Sequence, residues 1–257
     1  MEPQCPKCGG PLPDTLLFCG TCGEHNPLRT PPPAPQTALG ERMGTLALID
    51  ENGAEAMKFP LHVGENRIGS GPSATVRFAD DGFLAAEHCI LEVHRESFRL
   101  RPLERANGTF LRITAPVELR HGDVLRVGQE VLRFERLDQL RPEVGLDGNA
   151  EVVGWPVPRG AWGRLCQIGL QRQVANAYLL ASPDVFLGRE RGDILFPKDG
   201  FVSGSHSVLS ERNGRVFLKD LGSSNGTFLR IQQDTPLRNG DLFLLGRNLL
   251  RVHKGTA

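Results

Sequence analysis

The sequence predicts an all-β protein: two β-sandwiches in tandem, preceded by a small cysteine-rich unit. Three observations predict it. Four of the six cysteines fall within the first 22 residues, the remainder repeats itself at an offset of 118 positions, and apolar residues in each copy alternate with polar ones between frequent turns. The composition is that of a globular chain: of 257 residues, 39% are hydrophobic and 23% charged, with 30 Gly, 19 Pro and 16 aromatics. Thirty Lys+Arg balance 30 Asp+Glu, which excludes a chain-wide basic footprint for nucleic acid. The apolar runs are too short to span a bilayer, and MEPQCPKCGG has neither the basic region nor the apolar core of an export signal. The expectation is a cytoplasmic protein with no membrane tether.

The first element is residues 1–25. Cys5-Pro-Lys-Cys8 and Cys19-Gly-Thr-Cys22 are two Cys-x-x-Cys knuckles, each able to aim two thiolates at one tetrahedral centre. Disulfide pairing is the weaker alternative. Glycine at or after each second cysteine (Gly9, Gly10, Gly23) permits the positive φ that turns backbone amides toward sulfur. Zinc is the expected metal. CPKCGGPLPDTLLFCGTCG resembles the short bacterial zinc-ribbon module, in which Cys5, Cys8, Cys19 and Cys22 would be the ligands and His25 incidental. Four cysteines close the coordination sphere, so the metal would be structural, contributing on the order of 10 kcal/mol to ordering this fragment.

Residues 26–42 follow, with five prolines in NPLRTPPPAPQTALG and no apolar period, and read as a semi-extended spacer rather than a ligand for a small aromatic-lined domain. Residues 43–136 and 161–255 are the two copies. Asn107-Gly-Thr-Phe-Leu-Arg-Ile113 recurs identically as Asn225 to Ile231, and 22 of 57 positions match between Phe78–Phe134 and Phe196–Val252. A period of 118 is a duplicated domain, not a solenoid unit. Phe98 and Leu100 alternate with Arg99 and Arg101, and Leu250 and Val252 with Arg251 and His253, which predicts half-buried strands. Asn213-Gly214, Asn225-Gly226 and Asn239-Gly240 supply turns. Residues 137–160, polar and rich in Gly and Pro, read as an interdomain linker.

In the second copy Phe186-Leu-Gly-Arg189, Ser203-Gly-Ser-His206, Leu221-Gly-Ser-Ser-Asn-Gly-Thr227 and Asn239-Gly-Asp241 follow in order. This series resembles the forkhead-associated (FHA) domain, a SMAD/FHA-like sandwich that reads phosphothreonine peptides. A phosphothreonine carries about −1.5 to −2 charge and three strong acceptor oxygens, so its reader needs a cation, hydroxyl donors and amides on loops at one end of a scaffold. Arg189 supplies a planar, permanently charged fork. Ser203 and Ser224 supply hydroxyls, and Gly204 permits close backbone approach. By the family pattern Asn225 grips the peptide main chain. His206 would brace the loops, with no nucleophile beside it to make it catalytic, and Gly188 and Gly226 would form turns.

The first copy keeps the frame and lacks the phosphate contacts. Ser70 stands for Arg189, Ala85 for Ser203 and Ala106 for Ser224, with one indel near Gly71, while Asn107-Gly108 and His88 remain. Substitution by nearby Arg67 or Arg105 is the weaker alternative. This copy is therefore expected to be a degenerate FHA domain that packs against a partner or its sister.

Net charge is +5 over residues 161–257, −2 over 41–136, −2 over 137–160 and −1 over 1–40, concentrating positive field where Arg189 lies. These features predict a non-catalytic adaptor that docks on a threonine-phosphorylated protein downstream of a Ser/Thr kinase. The alternative is a nucleic-acid-associated regulator using the zinc ribbon, with phospho-independent docking by the β-domains. The ribbon's near-neutral charge and lack of interleaved basic and aromatic residues argue against it. An enzyme finds little support: Gly69-Ser-Gly-Pro-Ser-Ala74 is a loosened dinucleotide fingerprint interrupted by Pro72, and no P-loop or His-Glu-x-x-His is present. Cys89 and Cys166 are expected as small buried side chains rather than reactive thiols.

Overall fold

The computed structural model describes residues 4–5, 8–9, 41–103, 107–140, 157–169 and 172–255. Arg42–Ala257 form one compact unit and Met1–Glu41 another. In the smaller unit, Gly9 adopts φ +72° and its amide donates to Cys5 O at 2.9 Å, the tight turn a cysteine knuckle requires. Cys19, Cys22 and the spacer prolines lie outside the described residues.

The larger unit is built of strands. The first copy forms β1 (Arg42–Ile49), β2 (Glu55–His62), β3 (Gly64–Gly69), β4 (Val76–Arg77), β5 (Cys89–Val93), β6 (Phe98–Pro102), β7 (Thr109–Arg112), β8 (Val117–Leu119), β9 (Val124–Val127) and β10 (Glu130–Arg136). The second copy repeats the series as β11 (Gly163–Ile168), β12 (Val174–Leu180), β13 (Asp184–Gly188), β14 (Ile194–Leu195), β15 (Ser207–Arg212), β16 (Arg215–Asp220), β17 (Thr227–Ile231), β18 (Thr235–Leu237), β19 (Leu242–Leu245) and β20 (Asn248–Lys254). Period-two alternation works as expected: Phe98 and Leu100 are buried, as are Leu250 and Val252. Asn213 and Gly214, at φ +53° and +77°, make the left-handed two-residue turn that joins β15 to β16 in the native twist. Among the described residues no helix is long and apolar enough to cross a membrane.

The two sandwiches do not coincide with the two copies. One five-stranded sheet runs β14-β13-β15-β16-β8 and the other β18-β6-β5-β3-β4, so each copy lends its eighth strand to its sister. The remaining strands form one continuous sheet, β12-β11-β10-β9-β17-β7-β19-β20-β1-β2. The chain crosses over after β7 and again after β17, and the pairing of Leu111 with its repeat equivalent Leu229 marks the centre of the exchange. The cores record the same exchange. Leu119, Leu125, Val127, Leu132 and Phe134 of the first copy pack with Leu165, Leu187, Leu209 and Leu218 of the second. Reciprocally, Leu237, Phe243, Leu245, Leu250 and Val252 complete the core around Leu46, Ile68, Leu91, Phe98 and Leu100. Each sandwich thus hides from water a set of large apolar side chains contributed by both copies, the main favourable term in its folding.

Candidate functional site

Arg189, Ser203, Gly204, Ser224 and Asn225, expected as the phosphopeptide contacts, line one shallow cavity of about 210 Å³ with Gly200, Phe201 and Val202. Arg189 stands one residue beyond β13, where its amide donates to Ser203 O at 2.9 Å, tying the two loops together. Gly188 has no room for a side chain: a Cβ there would run into Arg191 O and Gly204 O. The Arg189 guanidinium is partly exposed and lies on Glu190 Oε1, through Nε at 3.1 Å and NH2 at 2.9 Å.

The hydroxyl of Ser203 accepts from the Ser224 amide at 3.1 Å, which leaves its own proton to donate into the cavity. Asn225 Nδ2 donates to Phe201 O at 2.9 Å, orienting the amide side chain at the rim. His206 is fully buried and braces both loops. Its Nδ1 accepts from the Ser203 amide at 3.0 Å, so the ring proton sits on Nε2, which donates to Gly226 O at 3.1 Å. Burial pushes its pKa down, against the pull of that carbonyl, and the ring stays neutral.

Asp220 holds the loop that carries Ser224 and Asn225. Its Oδ2 accepts from the hydroxyls of Ser223 and Thr227, both at 2.6 Å, and its Oδ1 from the amides of Gly222 and Ser223, both at 2.9 Å. Burial pushes its carboxyl pKa up, but these donors outweigh it and the net shift is downward. Ser223 Oγ in turn accepts from the Gly226 amide at 2.9 Å. The sequence reading missed Glu190, Asp199, Phe201, Asp220 and Ser223. Asp199 and Phe201 had a signal, since both recur in the first copy as Asp81 and Phe83.

The first copy reproduces the backbone and histidine bracing of the frame. Ser70 N donates to Ala85 O at 3.0 Å as Arg189 N does to Ser203 O, and Ile68 pairs with Val76 as Leu187 does with Ile194. This places Ser70 at the arginine position and the extra residue between 70 and 76. His88 accepts from Ala85 N and contacts Gly108 O, and Asn107 Nδ2 donates to Phe83 O at 2.9 Å. The chemistry differs. Ser70 Oγ is spent on Leu84 O, and Arg67 is engaged by Glu87 at 2.8 Å and Glu65 at 3.3 Å. Pro102 stands where Asp220 stands, and among the described residues no carboxylate receives the Thr109 hydroxyl. Ala106 and Arg105 lie outside the described residues. Cys89 and Cys166 are buried, and burial raises both thiol pKa values, which removes their nucleophilic form.

The chain is 38% identical over 98 residues to mouse (Mus musculus) E3 ubiquitin-protein ligase CHFR, an alignment spanning 35% of this chain and 14% of that protein. Among solved structures it is similar to the FhaA FHA domain complexed with the intracellular domain of Rv3910. That match is 32% identical, covers 34% of this chain and 94% of the other, and has a TM-score of 0.24. Mycobacterium tuberculosis EmbR in complex with a low affinity phosphopeptide is 23% identical over 32% of this chain and 23% of that one, with a TM-score of 0.20. The FHA domain family matches residues 66–128 and 185–246, so each copy carries an FHA-domain match.

Proposed function

We propose that the protein is a non-catalytic adaptor that binds a threonine-phosphorylated protein through Arg189, Ser203, Gly204, Ser224 and Asn225, downstream of a Ser/Thr kinase. The observation that carries this reading is the convergence of those five residues on one cavity, which brings a guanidinium and a hydroxyl donor to the same rim. Among the described residues Arg189 is held by exposed Glu190, a partner that a dianionic phosphate outcompetes because it offers three acceptors to the fork. The first copy, with Ser70 and Ala85 at the matching places, reads no phosphate and serves the fold or a second partner.

The test is a phosphothreonine peptide library probed with the whole chain, beside its unphosphorylated twin and the Arg189→Ala variant. Phosphate-dependent binding is expected, with roughly 2 to 5 kcal/mol lost in the variant as a desolvated phosphate is left without its cation. Equal affinity for both peptides, or for both proteins, overturns the assignment.

A further inference from the structure

The phosphothreonine loop of the second copy rests on a turn from the first. Gln129 N donates to Asp199 Oδ2 at 2.6 Å, although the two residues belong to different copies. Asp199 is nearly buried, and its other oxygen accepts from Phe201 N at 2.9 Å while its backbone carbonyl accepts from Val202 N at 3.1 Å. Phe201 O is in turn the anchor of Asn225, and Ser203 follows two residues on. Gly128, at φ +61°, lies against the same carboxylate: a Cβ there would stand 2.6 Å from Asp199 Oδ2 and 2.8 Å from Val202 Cγ2. The reciprocal contact exists at the other sandwich, where Gly246, at φ +54°, and Arg247 lie on Asp81. Arg126 joins the two turns, donating to Gly128 O at 3.0 Å and to Gly246 O at 3.1 Å.

We propose that Gly128 and Gln129 of the first copy are positioning residues for phosphothreonine binding by the second, acting through Asp199 on the loop from Phe201 to Gly204. The proposal rests on the functional reading above. It gives the copy without phosphate contacts a part in phosphate recognition: its ninth and tenth strands deliver the turn that shapes its sister's binding loop.

The repeat supplies an internal control. In a chain without exchange, Gly246 would face Asp199 and Gly128 would face Asp81. The whole chain is prepared as Gly128→Asn and as Gly246→Asn, asparagine being chosen because it tolerates a left-handed backbone while still pressing on the carboxylate. Affinity for the phosphothreonine peptide selected above and backbone amide chemical shifts of the unliganded protein are measured. Gly128→Asn is expected to weaken binding tenfold or more and to move the amides of Phe201 to Gly204. Gly246→Asn is expected to keep affinity within twofold and to move those of Phe83 to Ala86. The opposite pattern, or moved amides with unchanged affinity in Gly128→Asn, overturns the proposal. If the wild type binds no phosphothreonine peptide, the functional reading fails, and the positioning role in phosphothreonine binding falls with it; the amide shifts then show separately whether Gly128 faces Asp199. If Gly128→Asn does not fold, a short thiol crosslinker on Glu118→Cys with Phe217→Cys, paired in this structure, decides against Glu118→Cys with Arg99→Cys, the pair that an unexchanged chain would form. Linkage of the second pair overturns the proposal, and linkage of the first upholds the exchange on which it depends.

Discussion

Arg189 and Glu190 are chain neighbours whose side chains close on each other, with Nε and NH2 of the guanidinium sharing Glu190 Oε1 at 3.1 and 2.9 Å. The pair is exposed, so it is worth little by itself, but a phosphate entering the cavity must break it. Glu190→Gln is therefore expected to tighten phosphopeptide binding by roughly two- to fivefold, the equivalent of an exposed ion pair of up to about 1 kcal/mol. Titration calorimetry of the variant against wild type checks this, and weaker binding in the variant would mean that Glu190 supports the bound state.

Folding stability should fall on mild acidification. His88 and His206 are both buried and neutral, with pKa values lowered from 6.5 by burial, so the unfolded chain binds more protons than the folded one in the window below that value. Their contribution is complete above pH 6.5 and is lost as the pH falls through 6.5 toward the lowered folded values. The melting temperature of the unliganded protein is expected to drop between pH 7 and 5. Asp184 and Glu118, whose carboxyl pKa values are held low by Arg212 and Arg215, titrate at more acid pH. A flat profile over the histidine window would contradict the bracing role of both rings.

Asp220 gathers two hydroxyls and two amides onto one carboxylate. Asp220→Ala leaves these donors without an acceptor and should cost about 2 to 4 kcal/mol of stability, together with a tenfold or larger loss of phosphopeptide affinity. Chemical denaturation and peptide titration on the same sample measure both. Retained affinity would show that the loop carrying Ser224 and Asn225 needs no internal support.

The four N-terminal cysteines are expected to bind one equivalent of zinc, and replacing Cys5 and Cys19 by serine should abolish it. Elemental analysis of protein purified without added metal reads the outcome. An unchanged metal content would remove the ribbon assignment.

Much of the site was legible because its determinants are local. Turn residues such as Asn213-Gly214 set their own backbone, alternation at Phe98 and Leu100 sets which face is buried, and Arg189, Ser203, Ser224 and Asn225 lie on three short loops whose order along the chain is itself the signal. Glu190 and Asp220 were not legible as partners. An acid next to an arginine is commonplace in sequence, and a buried aspartate is distinguished only by the donors that folding brings to it.

By itself the sequence determined the strand content, the duplication, the order of the loops that line the cavity and the replacement of Arg189, Ser203 and Ser224 by Ser70, Ala85 and Ala106 in the first copy. Only the tertiary structure decided which copy completes which sandwich. Leu119 and Leu237 are equivalent, Asn107 to Ile113 and Asn225 to Ile231 are identical, and the strands that follow present the same apolar face to either sheet. Side-chain pattern is therefore equally satisfied with or without exchange. What separates the two arrangements is the path of the chain after Ile113 and Ile231 and the antiparallel pairing of β7 with β17, relations between residues more than a hundred positions apart that no local rule expresses.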